Sequence, residues 1–211
     1  MRNKSAGFQR GIWAIVILVT IVAMGFGTKV VSGSALAATI PVVFNAEAFG
    51  VEHFPLVQAG IIKSAKPLAE VATALTADQA SASKTYGVAE GTSFPVFSVT
   101  FTAVVDDVDA SGFMHFTVAG VPSATNIRVQ TGPAIGGTDL RDATGTIHFP
   151  SFVNQIEYQD AGVALNNELK KQVLATIKAT DLVGKTVTVF GAFQLVNPAA
   201  YMITPVKIVV N

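Results

Sequence analysis

The chain has no cysteine. Disulfides, thiolate metal sites and a lipid attached through sulfur are therefore closed to it, and a domain placed outside the cytoplasm must hold together by burial alone. Charge is also scarce, at 13% of residues, while half of the residues are hydrophobic. Apart from one N-terminal block, no apolar run is long enough for a bilayer. Arginine is rarer still past that block: residues 28–211 carry nine lysines but only Arg128 and Arg141, with fourteen acidic side chains and a net charge of −3. A nucleic-acid binder needs a basic surplus clustered on one face, and this balance excludes it.

What is present begins with that block. Residues 1–10 hold Arg2, Lys4 and Arg10, and residues 11–27, "GIWAIVILVTIVAMGFG", have no charge. Such a stretch is just long enough to cross a membrane with its basic flank in the cytoplasm. The reading is a retained single-pass anchor with the C-terminal part outside; the alternative is a secreted protein, cleaved after Ala37 in "SALAA". The domain reading that follows is a basic tip and anchor or signal segment over 1–27 and a linker over 28–53. Two helix-plus-barrel units then span 54–150 and 151–211.

The pattern from Phe54 to Gly87 is helical, with Ile61, Ala65, Leu68, Ala72 and Leu75 on one face, Pro67 at a restart, and Thr76 with Gln79 as a capping box. In "SFPVFSVTFTAVV" the alternation of Phe97, Val99, Phe101, Ala103 and Val105 predicts a half-buried strand. "FMHFTVAG", "ATNIRVQ" and "GTIHFPSF" read as further strands. "DAGVALNNELKKQVLATIKATDLVG" returns to helical spacing, with Asp160 as its N-cap and Gly184 as its stop. "KTVTVFGAFQLV" and "YMITPVKIVV" close the chain as strands. Helix, glycine and β-hairpin thus occur twice. The fold class expected is mainly β with helical inserts: duplicated small barrels, tandem or strand-swapped, behind an N-terminal transmembrane helix.

The densest polar feature is "RVQTGPAIGGTDLRD". Gly132, Gly136 and Gly137 permit positive φ and a nest of converging N–H groups; Arg128 and Arg141 could clamp an anionic or hydroxylated ligand, and Thr131, Thr138, Asp139 and Asp142 supply further hydrogen-bonding groups. The competing reading is that Arg141 pairs with Asp142, Glu157 or Asp160 and pins a long loop to the barrel. "NQIEYQD" reads as a strand, and Asn154, Glu157 and Tyr158 complete the candidate ligand-binding set. Two lookalikes fail on spacing: "LVGKT" has Ala179 where a phosphate loop needs glycine, and "DVDASG" has Val118 where a calcium loop needs its closing glutamate. His53, His115 and His148 lack metal-ligand spacing, with His115 read as packing. No nucleophile elbow or zinc-protease motif appears, so the expectation is a non-enzymatic chain without metal or cofactor.

"RVQTGPAIGGTDLRDATG", "FVNQIEYQDAGVALNNELKKQVL" and "PVKIVV" resemble a bacterial family of predicted periplasmic lipoproteins, domain of unknown function 2291. The resemblance covers residues 12–211 and departs from the lipoprotein label in lacking cysteine. It implies tandem OB-type barrels on a membrane-tethered envelope protein, with components of a sugar ABC-transport system as partners. Two alternatives stand beside that accessory or binding module: a structural protein–protein interaction domain and, behind it, a hydrolase.

Overall fold

The computed structural model describes residues 5–27, 44–89 and 94–211. Two compact units divide at Val43 and Phe44. The first contains helix α1, Ser5–Gly27. Its described side chains, 11–25, are all exposed and span about 22 Å at the helical rise. Among the described residues no helix is long and apolar enough to cross a membrane. The Ala37 cleavage point lies outside the described residues.

The second unit opens with α2, Ala46–Ser64, earlier than the helical spacing suggested, because Asn45 caps it by accepting from the Ala48 N–H at 2.9 Å. The short strand β1, Lys66–Pro67, interrupts before α3, Leu68–Ala77. The cap of α4, Gln79–Tyr86, is Asp78 and not Thr76: the Asp78 carboxylate accepts from Ala80 and Ser81, whereas Thr76 donates back to Ala72. After the two-residue β2, Gly87–Val88, come β3 (Val96–Val108), β4 (Phe113–Phe116) and β5 (Asn126–Gln130). Helices α5 (Asp139–Asp142) and α6 (Gln155–Gln172) precede the last strands, β6 (Thr186–Gln194) and β7 (Ala200–Val210).

These strands form one closed barrel in the order β3-β4-β5-β7-β6, with β6 returning to β3. The β3–β6 seam runs antiparallel from Val96↔Gln194 to Val104↔Thr186, and β5 pairs in parallel with β7. This corrects the expected pair of barrels. The two β-hairpin patterns look alike in sequence because all their strands alternate, but the second pattern supplies the partners that complete the first sheet. Pro205 is accommodated in β7 opposite the irregularity between Phe190 and Gly191, where a missing N–H breaks no regular ladder.

Two apolar clusters hold the unit. One fills the barrel: Phe97, Val99, Phe101 and Val105 of β3 meet Met114, Val129, Val189, Phe193 and Tyr201, with Leu68, Val71 and Leu75 of α3 packed against them. Phe193 stacks between Phe97 and Tyr201, at ring separations of 5.3 and 4.5 Å. The other lies outside the barrel wall, where Phe54, Val57 and Ile61 of α2 and Leu165 and Leu169 of α6 pack with Leu140, Ala192 and Val206. Helix cover explains why Val96 and Ser98, on the nominally polar face of β3, are buried too. Gly50 permits the α2–α6 approach, since a Cβ there would stand 2.9 Å from the Ala164 carbonyl oxygen.

"NQIEYQD" is the first turn and a half of α6 and not a strand. Asn154 is its N-cap, with Oδ1 accepting from the Glu157 N–H at 2.9 Å, while Glu157 Oε2 accepts from the Val153 N–H at 3.0 Å. Two donors are satisfied reciprocally, which fixes the helix start six residues before Asp160. "GTIHFPSF" likewise contains a 3-10 turn, Phe149–Ser151, in place of the expected strand.

Candidate functional site

The glycine-rich segment leaves β5 at Gln130 and reaches α5 through residues 131–138. Its first glycine makes a crossing possible: a Cβ on Gly132 would lie 2.1 Å from the Ser111 carbonyl oxygen, and Gly112, at φ +82°, faces it across the β3–β4 turn. Thr131 secures the crossing by donating its N–H (3.1 Å) and its hydroxyl (2.7 Å) to the Gly112 carbonyl. Further along, buried Gln130 closes on Gly136 in both directions, accepting its N–H at 3.1 Å and donating to its carbonyl at 3.2 Å. The Gly136 N–H is thereby taken up internally and is not part of an open nest. Gly137 has φ +89°, and its carbonyl accepts from Asn166 of α6 at 3.0 Å.

Beneath the loop runs a buried polar chain. Gln130 donates to the Thr204 hydroxyl at 2.7 Å, and that hydroxyl donates to Asp139 at 2.7 Å. Burial pushes the Asp139 carboxyl up to about 7; the Thr204 hydrogen bond opposes the rise and the neighbouring Asp142 charge adds to it.

Arg141 and Asp142 make the lock. The guanidinium is bidentate on the carboxylate, Nε to Oδ1 at 2.7 Å and Nη2 to Oδ2 at 3.0 Å, while Nη1 donates to the Tyr158 carbonyl at 3.1 Å. The same guanidinium lies 3.6 Å over the Tyr158 ring. Asp142 also accepts from the Thr138 hydroxyl at 2.6 Å and the Tyr158 phenol at 3.3 Å. Arg141 is 7% exposed and Asp142 2%, so the ion pair is covered and every guanidinium edge has a role. Burial, followed by the Asp142 charge, raises the Tyr158 phenol above its ordinary value. The lock ties α5 to the first turns of α6.

Arg128 belongs to different surroundings. It points outward from β5 between His115 of β4 and Met202 of β7, with its guanidinium 5.5 Å from the Phe113 ring and its Nε buried without a hydrogen bond. His115 is half-buried and faces Asp109 at 3.2 Å instead of packing into the core. Among the described residues the two arginines share no partner.

A cavity of about 400 Å³ opens between the glycine loop and α6. Gly136, Gly137, Thr138 and Arg141, all in the expected set, line it together with Ile135, Gln155, Gln159, Val163 and Asn166. Arg128, Thr131, Gly132, Asp139, Asp142, Asn154, Glu157 and Tyr158 do not line it: Arg128 stands on β5, Asp139 belongs to the buried polar chain, and the others are loop, lock or cap residues. The lining residues absent from the expected set are the apolar Ile135 and Val163 and the amides Gln155, Gln159 and Asn166, and the amides are the polar ones. Their spacing of four and seven puts them on one face of a helix, a signal that was hidden once the segment was read as a strand. The Gln155 and Gln159 amides are exposed and make no hydrogen bond within the described residues. The cavity thus presents amide donors and acceptors, one hydroxyl and apolar walls, beside a guanidinium whose charge Asp142 neutralises. A second cavity of about 480 Å³ follows α6 toward Lys170 and Lys171, with Val163 common to both. Among the described residues no group of three or more His, Asp or Glu is placed to hold a metal ion.

The barrel has a solved counterpart. An OB-fold protein from Thermotoga maritima matches with a TM-score of 0.66 at 15% identity, over 81% of this chain and 100% of the other. At that identity the likeness assigns the fold alone, which is the OB fold. No curated protein matches the chain. The sequence model of one family does match, over residues 15–209, and the chain therefore belongs to the predicted periplasmic lipoproteins designated domain of unknown function 2291.

Proposed function

We propose that the chain is a membrane-anchored, extracytoplasmic binding module without catalytic activity, which takes a small neutral polyhydroxylated ligand between the glycine loop and α6. The observation that carries this reading is the distribution of charge and unused polarity. Arg141 is the basic group in the cavity wall, and its bidentate bond to Asp142 leaves no net charge to attract a phosphate or carboxylate. Gln155 and Gln159, by contrast, face the cavity with both ends of their amides uncommitted, and side-chain amides donate and accept in the pairwise manner that vicinal hydroxyls require. The volume suits a ligand of one or two sugar rings, and Ile135 and Val163 offer apolar surface for a ring face.

Anchoring is assigned to α1, whose apolar side chains Ile12, Trp13, Ile15 and Leu18 are exposed and which takes the place of the lipid that a chain without cysteine cannot carry. Service to a sugar ABC-transport system is the partner role that goes with this ligand class. Titration calorimetry with neutral mono- and disaccharides, polyols and inorganic phosphate tests the ligand reading. Binding of at least one neutral hydroxylated compound, weakened about tenfold or more by Gln159→Ala and untouched by phosphate competition, is the expected result. Binding of phosphate alone, or of nothing in the panel, removes it.

A further inference from the structure

Residues 149–156, "FPSFVNQI", contain no charged side chain, and along the sequence no lysine or arginine occurs between Arg141 and Lys170. The 3-10 turn and the first turn of α6 raise this stretch into a tip on which Phe149 is 44% exposed, Val153 70% and Ile156 71%. Adjacent large apolar side chains held in water at that level mark a surface that something else covers. The tip is not a loose loop. Phe152, half-buried at its base, packs edge-on against Phe44 at 5.5 Å and Phe49 at 5.7 Å, and tilts against Tyr158 at 5.3 Å. Phe149 also meets the Tyr158 ring edge-on at 5.5 Å, and Tyr158 is gripped by Arg141. The charge nearest the tip on its C-terminal side, Glu157, is turned back onto the Val153 N–H.

The path of the chain names the occupant. Phe44 begins the barrel unit and sits directly on Phe152, so the segment 28–43 that comes from α1 joins the unit at the base of this tip. That segment reaches at most roughly 55 Å when extended, and the tip adjoins the point at which the unit is tethered to α1. We propose that Phe149, Val153 and Ile156 insert into the interfacial layer of the bilayer in which α1 is anchored. The inference rests on the reading of α1 as a membrane anchor. The uncharged tip specifies insertion by apolar contact, independent of anionic lipid, since no basic side chain in it could contact a phosphate headgroup.

The lack of native cysteine makes the test clean. The full chain, carrying Val153→Cys labelled with an environment-sensitive fluorophore, is reconstituted into phosphatidylcholine vesicles containing nitroxide-labelled lipid. Thr180→Cys, at an exposed position of the turn before β6, is the reference. The expected result is quenching by shallow nitroxide at 153 severalfold stronger than at 180, with protection of 153 from aqueous iodide. Adding Ile156→Glu should abolish the difference while the chain still floats with the vesicles. Equal iodide quenching at both positions overturns the proposal, as does a position 153 shielded from iodide and nitroxide alike, which would mean a protein surface covers it. Flotation separates the two readings: a chain that floats with an unquenched tip sinks only this inference, whereas a chain that fails to float sinks the anchor as well.

Discussion

Asp139 gives the most quantitative handle on the loop. Its carboxyl is 5% exposed, sits against the Thr204 hydroxyl and titrates at about 7, raised from 3.8. A carboxyl whose folded value is raised stabilises the native state while it holds its proton. The contribution is complete below the unfolded value of about 4 and is lost as the pH climbs to about 7, because across that window the native state binds more protons than the unfolded chain. Three units at roughly 1.4 kcal/mol each amount to about 4 kcal/mol. Asp139→Asn keeps the shape and an acceptor for Thr204 but has no proton to lose. Urea denaturation at half-unit steps from pH 4 to 8, followed by circular dichroism, measures both proteins. The wild-type free energy should fall by about 4 kcal/mol more than that of the variant, with most of the divergence complete by pH 7. Other titrating groups cancel in the difference. Two parallel curves would refute the argument, because they would show that the Asp139 proton is held no more tightly in the folded chain than in the unfolded one.

Arg141→Met should destabilise by about 3–5 kcal/mol, since it strands the Asp142 carboxylate in a buried site, and adding Asp142→Asn should recover part of that loss by removing the charge; equilibrium denaturation of the single and double variants checks both signs. Gly132→Ala should cost about 3 kcal/mol or more, because its Cβ cannot coexist with the Ser111 carbonyl. Gly136→Ala, whose Cβ would meet nothing within 4 Å, should stay within about 0.5 kcal/mol. Thermal denaturation of the pair reads the contrast.

Much of the barrel is legible in the sequence. Alternation in Phe97, Val99, Phe101 and Val105 marked the inward face of β3, and those residues do fill the core. The pairing of strands was not legible, because an alternating pattern states which side of a strand is buried and nothing about its neighbour; β6 could equally have opened a second barrel or closed the first. The start of α6 was lost to a similar ambiguity. Over seven residues a period of 2 and a period of 3.6 select overlapping positions, and only the continuation through Ala161, Leu165 and Leu169, or the Asn154–Glu157 reciprocal cap, separates them. At the loop, Arg141 and Asp142 are neighbours in sequence and meet as a bidentate pair, so the pinning reading was available from the dipeptide. That Arg128 stands apart follows from strand direction: thirteen residues further on, the chain has left the β5 ladder and crossed to α6, and proximity in sequence no longer means proximity in space.

The seam between β3 and β6 also governs the order in which the molecule can be made. Ribosomal synthesis releases β3, β4 and β5 as a three-stranded meander with bare edges, and neither edge finds its native partner until residues 186–210 have emerged. Closing loops of that length is slow compared with local hairpin formation, and the nascent meander presents open strand edges throughout the interval. A chain stopped short of β7 would therefore be left not as a smaller folded domain but as an unclosed sheet, and its hazard would be adhesion to other copies of itself.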